Sequence, residues 1–370
     1  MTIGTTSSNK HLILLGTHGN YIHSAIFDSD NHTLTKGKTT ATNPHPSWLT
    51  RNPKHQDIIY ANGHVEGKVF AYRLTDNEGG LELLAEASSG GGGPTHLGVL
   101  ADGSELLMAH YNTGTVTLLP LDERGLFKLD SPTPERIYSP PYTPLSHPRQ
   151  ESPHVHQIVI YNDEIIAPDL GSNKVWRLKW DGKSMSLFGE VSGLEVGDGP
   201  RHVVIHPNGT HIYVLNEISS QLTVHTIPAE GGSSKLVKRF SMLPEYDQGA
   251  YRPTGGAEIV LLPPTRPDGP HLLILSNRDS PVRETDTLAL FSVSSTDGGE
   301  VERTKEGWYE GIGRHLRGVS GDPSGKYVAV LARNQGGLKV FERVGEDGLQ
   351  LKEVATMEDV ELGVVPLWIS

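Results

Sequence analysis

A chain of 370 residues with 36% hydrophobic content can bury a substantial core, and a formal charge of −12 opposes non-specific binding to nucleic acid. It has no cysteine, which removes disulfide and thiolate chemistry, and no run of about 18 apolar residues that would cross a membrane. The opening MTIGTTSSNK lacks the apolar run of a signal peptide, so the expectation is a soluble, cytoplasmic protein with no membrane or nucleic-acid partner. Forty-two Gly and 25 Pro, spread along the chain, point to many short elements joined by turns.

After a start read as flexible (residues 1–10), the first unit is Leu12–Phe27: a short apolar strand, small or polar residues with Gly and Asn, and a second alternating strand. The unit recurs at Ile58–Leu74, Leu106–Leu119, Ile165–Leu178, Ile212–Ile227, Leu272–Val293 and Tyr327–Arg343. The starts of these copies lie roughly 45–60 residues apart, the period of four-stranded propeller blades. Each copy after the first follows another short strand: Trp48–Thr50, His96–Leu100, His156–Ile160, Arg201–Ile205, Glu258–Leu262 and Arg317–Ser320. Asp102-Gly103, Pro207-Asn208-Gly209 and Pro323-Ser324-Gly325 are hairpin turns leading out of three of these strands.

Leu12–Phe27 lacks such a strand, and Val364–Ile369 is one to spare. The prediction is an all-β, seven-bladed β-propeller of four-stranded blades, closed by pairing of the C-terminal strand into the N-terminal blade. Closure removes the open sheet edges that invite aggregation. A β-sandwich or a pair of β domains explains neither the repeats nor the complementary ends. Residues 1–370 are therefore read as one domain, with the Pro-rich segment 131–153 as an insertion.

In a propeller the innermost strand of each blade begins at one mouth of the channel. Here those beginnings read Pro44-His45-Pro46, Pro94-Thr95-His96, Pro153-His154-Val155-His156, Gly199-Pro200-Arg201-His202 and Arg314-His315-Leu316-Arg317. A lone histidine there satisfies backbone carbonyls as readily as it binds a ligand. Recurrence at five equivalent positions instead predicts a convergent polar pocket. Loops after the second strands add His110, Asn112, Asp169, Asn216, Glu217 and Arg278. The candidate substrate-binding set is His45, His96, His110, Asn112, His154, Asp169, His202, Asn216, His315 and Arg317. Arg201 and Arg278 offer forked donors suited to a carboxylate or phosphate, so the expected ligand is a small anion. Glu217 has two readings: an acid or base tuned by nearby cations, or the counter-ion of a buried arginine. No Gly-x-Ser-x-Gly elbow, Walker loop or His-Glu-x-x-His occurs. No histidine spacing specifies a metal, and no cofactor is called for. Gly90–Gly93 is read as a turn between blades, since no helix follows it.

The run from Gly199-Pro200-Arg201-His202 through His206-Pro207-Asn208-Gly209 to Asn216-Glu217 resembles the seven-bladed lactonase family. That family includes propeller-type 6-phosphogluconolactonases and the fungal 3-carboxy-cis,cis-muconate lactonizing enzyme. The likeness extends over nearly the whole chain, through His156-Gln157-Ile158-Val159, Asp169-Leu170-Gly171, Ser276-Asn277-Arg278 and Arg317-Gly318-Val319-Ser320. It implies a catalytic set of His156, Arg201, Glu217 and Arg278. It also implies a substrate that is a small anionic lactone or its open carboxylate. Hydrolysis of a sugar lactone is the leading expectation, and cyclisation of a carboxymuconate on the same residues is the second. A non-enzymatic propeller that binds proteins is the third, but no blade carries a WD or Kelch signature.

Overall fold

The computed structural model describes residues 9–129, 137–228, 234–245 and 254–369. Among the described residues every regular element is a strand, and the strands form seven four-stranded antiparallel sheets. Blade I pairs Gly363–Trp368 with Lys10–Thr17, followed by Tyr21–Asp28 and Thr33–Ala41. The remaining blades, II to VII, follow in sequence and begin with Leu49–Arg51, Pro94–Val99, Val159–Tyr161, Pro200–Ile205, Gly255–Leu262 and Arg314–Gly321.

Ring closure is as the sequence predicts. Ile13 pairs with Trp368, Leu14 with Leu367 and Leu15 with Pro366, so the last strand completes the first blade. Seven hydrophobic clusters lie between consecutive blades, one per junction, including the junction of blade VII with blade I around Ile13, Phe27, Tyr327 and Leu338. Each strand alternates its side chains between two faces, and each blade offers both faces to its neighbours. This is why strands such as Glu105–His110 and Ile58–Gly63 are buried throughout. The predicted hairpin turns need left-handed backbone, and Gly209 (φ 75°) and Gly325 (φ 71°) supply it.

The first strands of blades VI and VII each begin three residues before the expected Glu258 and Arg317, and two other boundaries bear on the site and the insertion. The first strand of blade IV is only Val159–Tyr161, and His156 lies before it, held by an isolated bridge of Val155 to Asp169. Pro168 opposite has no N–H to give, so only its carbonyl engages, accepting from His156 N at 2.9 Å. The segment expected as an insertion also contains Ile137–Tyr138, which pairs with Thr117 and Val116 as the outer strand of blade III. Of the flexible start expected for residues 1–10, residues 1–8 lie outside the described residues, and Lys10 already belongs to a strand.

Candidate active site

A cavity of about 300 Å³ gathers a residue from the first strand of every blade or from the turn before it: Val364, Trp48, Thr95, His156, Arg201, Glu258 and Arg317. His18, His45, Ser47, His64 and Val65 complete the wall. Several of these side chains are aimed by β-bulges. The register slips between Pro200 and His202, between Gly256 and Ile259, and between Leu316 and Gly318. A bulge bends its strand and redirects a side chain that strict alternation would send into the blade.

Glu217 is buried beside this wall and meets three guanidinium groups. Its Oε2 lies 2.9 Å from Arg201 Nε, and its Oε1 lies 3.1 Å from Arg278 Nη2 and 2.6 Å from Arg149 Nη2. Burial pushes the carboxyl upward, but Arg278, Arg201 and Arg149 outweigh it and hold Glu217 well below the usual carboxylate range. Arg201 also donates Nη1 to the Ala257 carbonyl, and Arg278 donates Nη2 to the Gly256 carbonyl at 2.9 Å. The two arginines are thus tied to the bulge of blade VI.

Glu258 has the opposite environment. It is buried, burial pushes its carboxyl up to about 8 against the pull of Arg201, and its Oε1 lies 2.5 Å from His202 Nδ1. His202 Nε2 in turn lies 3.2 Å from His156 Nδ1. Burial, reinforced by Arg201, lowers both imidazoles well below the ordinary histidine value, so both are neutral at pH 7. Arg317 retains contact with the cavity, while its Nε is buried without a hydrogen-bond partner. Burial and the charges of Arg278 and Arg201 depress it well below its ordinary value. A guanidinium does not give up its proton in a protein, so this depression measures a cation short of counter-charge.

The structure brings together His156, Arg201, Glu217 and Arg278, with His156 and Arg201 on the cavity wall and Glu217 and Arg278 behind it. His45 and Arg317 also line the cavity, and His202 lies one hydrogen bond behind His156. His96 packs 4.0 Å from the Trp48 ring, between centroids. The other candidates sit in walls and loops. His110 is buried with Nδ1 3.3 Å from the Thr115 carbonyl. Asn112 is exposed. His154 stacks on Tyr111 at 4.3 Å. Asp169 accepts from His154 N, Ser172 N and Trp176 Nε1, and Asn216 bonds Thr223. His315 pairs with Asp279 at 3.0 Å. These contacts hold loop backbones and blade edges, which is the ordinary work of polar residues at strand ends.

Sequence reading missed four groups. His18 and His64 follow the second strands of blades I and II, Lys10–Thr17 and Ile58–Gly63, the loop position that yields Glu217 in blade V, and they stack on either side of His45 at 5.1 Å and 6.5 Å. Glu258 opens the strand expected at Glu258–Leu262 and was placed there as part of the blade, not of the site. Arg149 comes from the Pro-rich segment and reaches Glu217 from outside the blades. Among the described residues no cluster of His, Asp or Glu has the arrangement of a metal site.

Together these features define a seven-bladed β-propeller carrying an arginine- and histidine-lined cavity to which all seven blades contribute. The sequence profile of the family described as "Lactonase, 7-bladed beta-propeller" matches residues 1–365, and the chain belongs to that family. Among curated proteins it is 30% identical over 318 residues to a 6-phosphogluconolactonase of Klebsiella pneumoniae, covering 85% of each chain. It is 27% identical over 333 residues to one of Bacillus subtilis, covering 88% of each. Among solved structures, a Bacteroides fragilis protein superposes with a TM-score of 0.81 at 23% identity, over 99% of this chain and 100% of that one. The periplasmic gluconolactonase of Pseudomonas aeruginosa gives 0.79 at 23% identity, over 98% and 99%. At such identities the structural likeness speaks to the fold.

Proposed function

We propose that the protein is a lactonase that hydrolyses a small anionic sugar lactone, of the 6-phosphogluconolactone or aldonolactone kind, in the cavity at the mouth of its channel. The observation that carries this reading is Arg317, a cation facing the cavity with its Nε unpartnered, beside Arg201 and with Glu217 already claimed by three guanidinium groups. Such a wall favours an anion and the negative charge that develops on a lactone carbonyl under attack. The names of the curated relatives point to the same substrate class.

In this reading Arg201 and Arg317 polarise the carbonyl oxygen and stabilise the tetrahedral oxyanion. His156, neutral and on the cavity wall, takes a proton from the attacking water. Glu217 is a poor base, because its oxygens face three cations; it keeps Arg201 and Arg278 charged and in place. These steps call on protein side chains alone, so the rate is expected to survive chelator treatment and gel filtration.

The test is turnover of a panel of 6-phosphogluconolactone, gluconolactone and 3-carboxy-cis,cis-muconate by purified wild type and His156→Asn. Hydrolysis above the spontaneous rate, reduced roughly 10²–10⁴-fold in kcat by the substitution with the melting temperature preserved, is the expected result. Turnover of the muconate alone would make the protein a cyclase, and no turnover of any of them would end the proposal.

A further inference from the structure

We propose that Glu258, His202 and His156 form a proton relay, in which Glu258 holds at the inner end the proton that His156 exchanges with water and substrate in the cavity. Three consecutive blades supply the members. His156 comes from the bridge ahead of blade IV, His202 from Pro200–Ile205 of blade V and Glu258 from Gly255–Leu262 of blade VI. Two of them sit at bulges, Pro200/His202 and Gly256/Ile259. All three are buried, and the links are 2.5 Å from Glu258 Oε1 to His202 Nδ1 and 3.2 Å from His202 Nε2 to His156 Nδ1.

A neutral imidazole carries one N–H and one lone pair, so the chain has two proton arrangements. With Glu258 protonated, its O–H donates to His202 Nδ1. His202 Nε2–H then donates to His156 Nδ1, and His156 presents an Nε2–H to the cavity. With Glu258 ionised, the N–H groups reverse: His202 Nδ1–H donates to the carboxylate, His156 Nδ1–H donates to His202 Nε2, and His156 Nε2 presents a lone pair. The state of Glu258 thus decides whether the cavity meets an acid or a base.

The groups facing the relay favour this coupling. Arg201 and Arg317 bear on Glu258 from blades V and VII, and Ile259 N donates to its Oε1 at 3.1 Å. Arg201, Arg317 and Arg278 oppose a positive charge on His202 and His156, while Glu217 favours one on His202. Trp48 and His96 meet His202 edge-on, and Tyr111 meets His156 edge-on. With the imidazoles held neutral and Glu258 moved up to about 8, the carboxyl is the member of the chain that titrates near neutrality.

On the lactonase reading, the steps balance. Water oxygen bonds to the lactone carbonyl carbon as one of its O–H bonds breaks, and that proton goes to His156 Nε2. The His156 Nδ1 proton passes to His202 Nε2, and the His202 Nδ1 proton passes to Glu258. When the tetrahedral intermediate collapses, the ring C–O bond breaks. The proton returns along the chain to the ring oxygen, which leaves as a hydroxyl, and the new carboxylic acid releases its own proton to solvent.

The connection among the three residues is testable apart from the substrate. In the full chain labelled with ¹⁵N-histidine, the ring nitrogens of His156 and His202 are followed by NMR against pH in wild type and Glu258→Gln. Gln keeps the shape of a protonated Glu258, and an unchanged melting temperature at pH 6 serves as the folding control. A shared tautomer change in both histidines, with a midpoint near 8 in wild type and absent in the variant, is expected. Identical titration in the two proteins overturns the relay.

With 6-phosphogluconolactone as the probe, Glu258→Gln should lower kcat roughly 10²–10⁴-fold, leave KM within about twofold, and remove the basic inflection of the pH profile. Glu258→Asp should restore part of the rate. A variant with the wild-type kcat and pH profile also overturns it. If wild type turns over no lactone, the lactonase reading fails and the NMR measurement alone decides the relay.

Discussion

A carboxylate that faces three guanidinium groups has little capacity left to accept a proton, and this weighs on Glu217 more than its place in a recognisable motif. Its folded-state value lies below its unfolded one, so it contributes stability above the ordinary carboxylate range, and the contribution is lost as pH falls through the acid range. Glu217→Gln should therefore cost about 3–5 kcal/mol near neutrality, as for a buried charge pair broken on one side. The gap between variant and wild type should narrow as the solution is acidified, because the wild-type carboxyl then loses its charge too. Urea denaturation at a series of pH values checks this, and a gap independent of pH would show that Glu217 is not the arginines' counter-ion. Kinetics on the remaining folded protein should retain most of kcat, in contrast to His156→Asn. At this scale the sequence spoke clearly for Arg201 and Glu217, because both stand in one contiguous run. It was silent on Arg149 and Glu258, because what matters about them is which groups they meet across blades, and no spacing along the chain encodes that.

The strands were legible because each is a short apolar run between Gly- or Asn-bearing turns, and the repeat then multiplies a weak local signal. The first strands were read to within three residues at either end, and in blade IV Pro168 interrupts the ladder and leaves His156 on a looser lead-in. That lead-in is held by close backbone contact. A Cβ on Gly171 would lie 1.7 Å from the Ser152 carbonyl oxygen and 2.9 Å from His154 Cδ2. Gln150 fastens the same segment through Nε2 to the Leu170 carbonyl at 2.8 Å and to Asn173 Oδ1 at 2.9 Å. Gly171→Ala must displace residues 150–154, and with them Arg149 on one side and His156 on the other. The expected outcome is a stability loss of about 1–3 kcal/mol from overpacking. A fall in kcat/KM of about 10–10²-fold should accompany it, since small misplacements of positioned groups are costly. An unchanged kcat/KM in a destabilised protein would mean that this segment supports the fold without positioning the site.

At the scale of the whole molecule, the ring and the cavity depend on the same closure. Gly363–Trp368 reaches both junctions of blade I: Trp368 packs with Phe27 and Tyr327 toward blade VII, and Val365 packs with Leu49 and Ile59 toward blade II. Val364 meanwhile lines the cavity. The strand also covers the edge of Lys10–Thr17 through the pairs Ile13–Trp368 to Thr17–Gly363, and without it that edge would be open to pairing with another chain. Closure was readable in the sequence as a missing strand at one end and a spare at the other, a pattern visible only once the repeats are aligned. A chain ending at Leu362 should therefore lose both junctions at once, and either accumulate in the insoluble fraction or melt far below the full-length protein. A milder variant separates the latch from gross misfolding. Trp368→Ala keeps the backbone pairing but removes a side chain that is 7% exposed, and should cost about 3–5 kcal/mol. Thermal melts followed by circular dichroism read both variants. If the two melt like the full-length protein, the propeller does not need its C-terminal strand to hold the ring together.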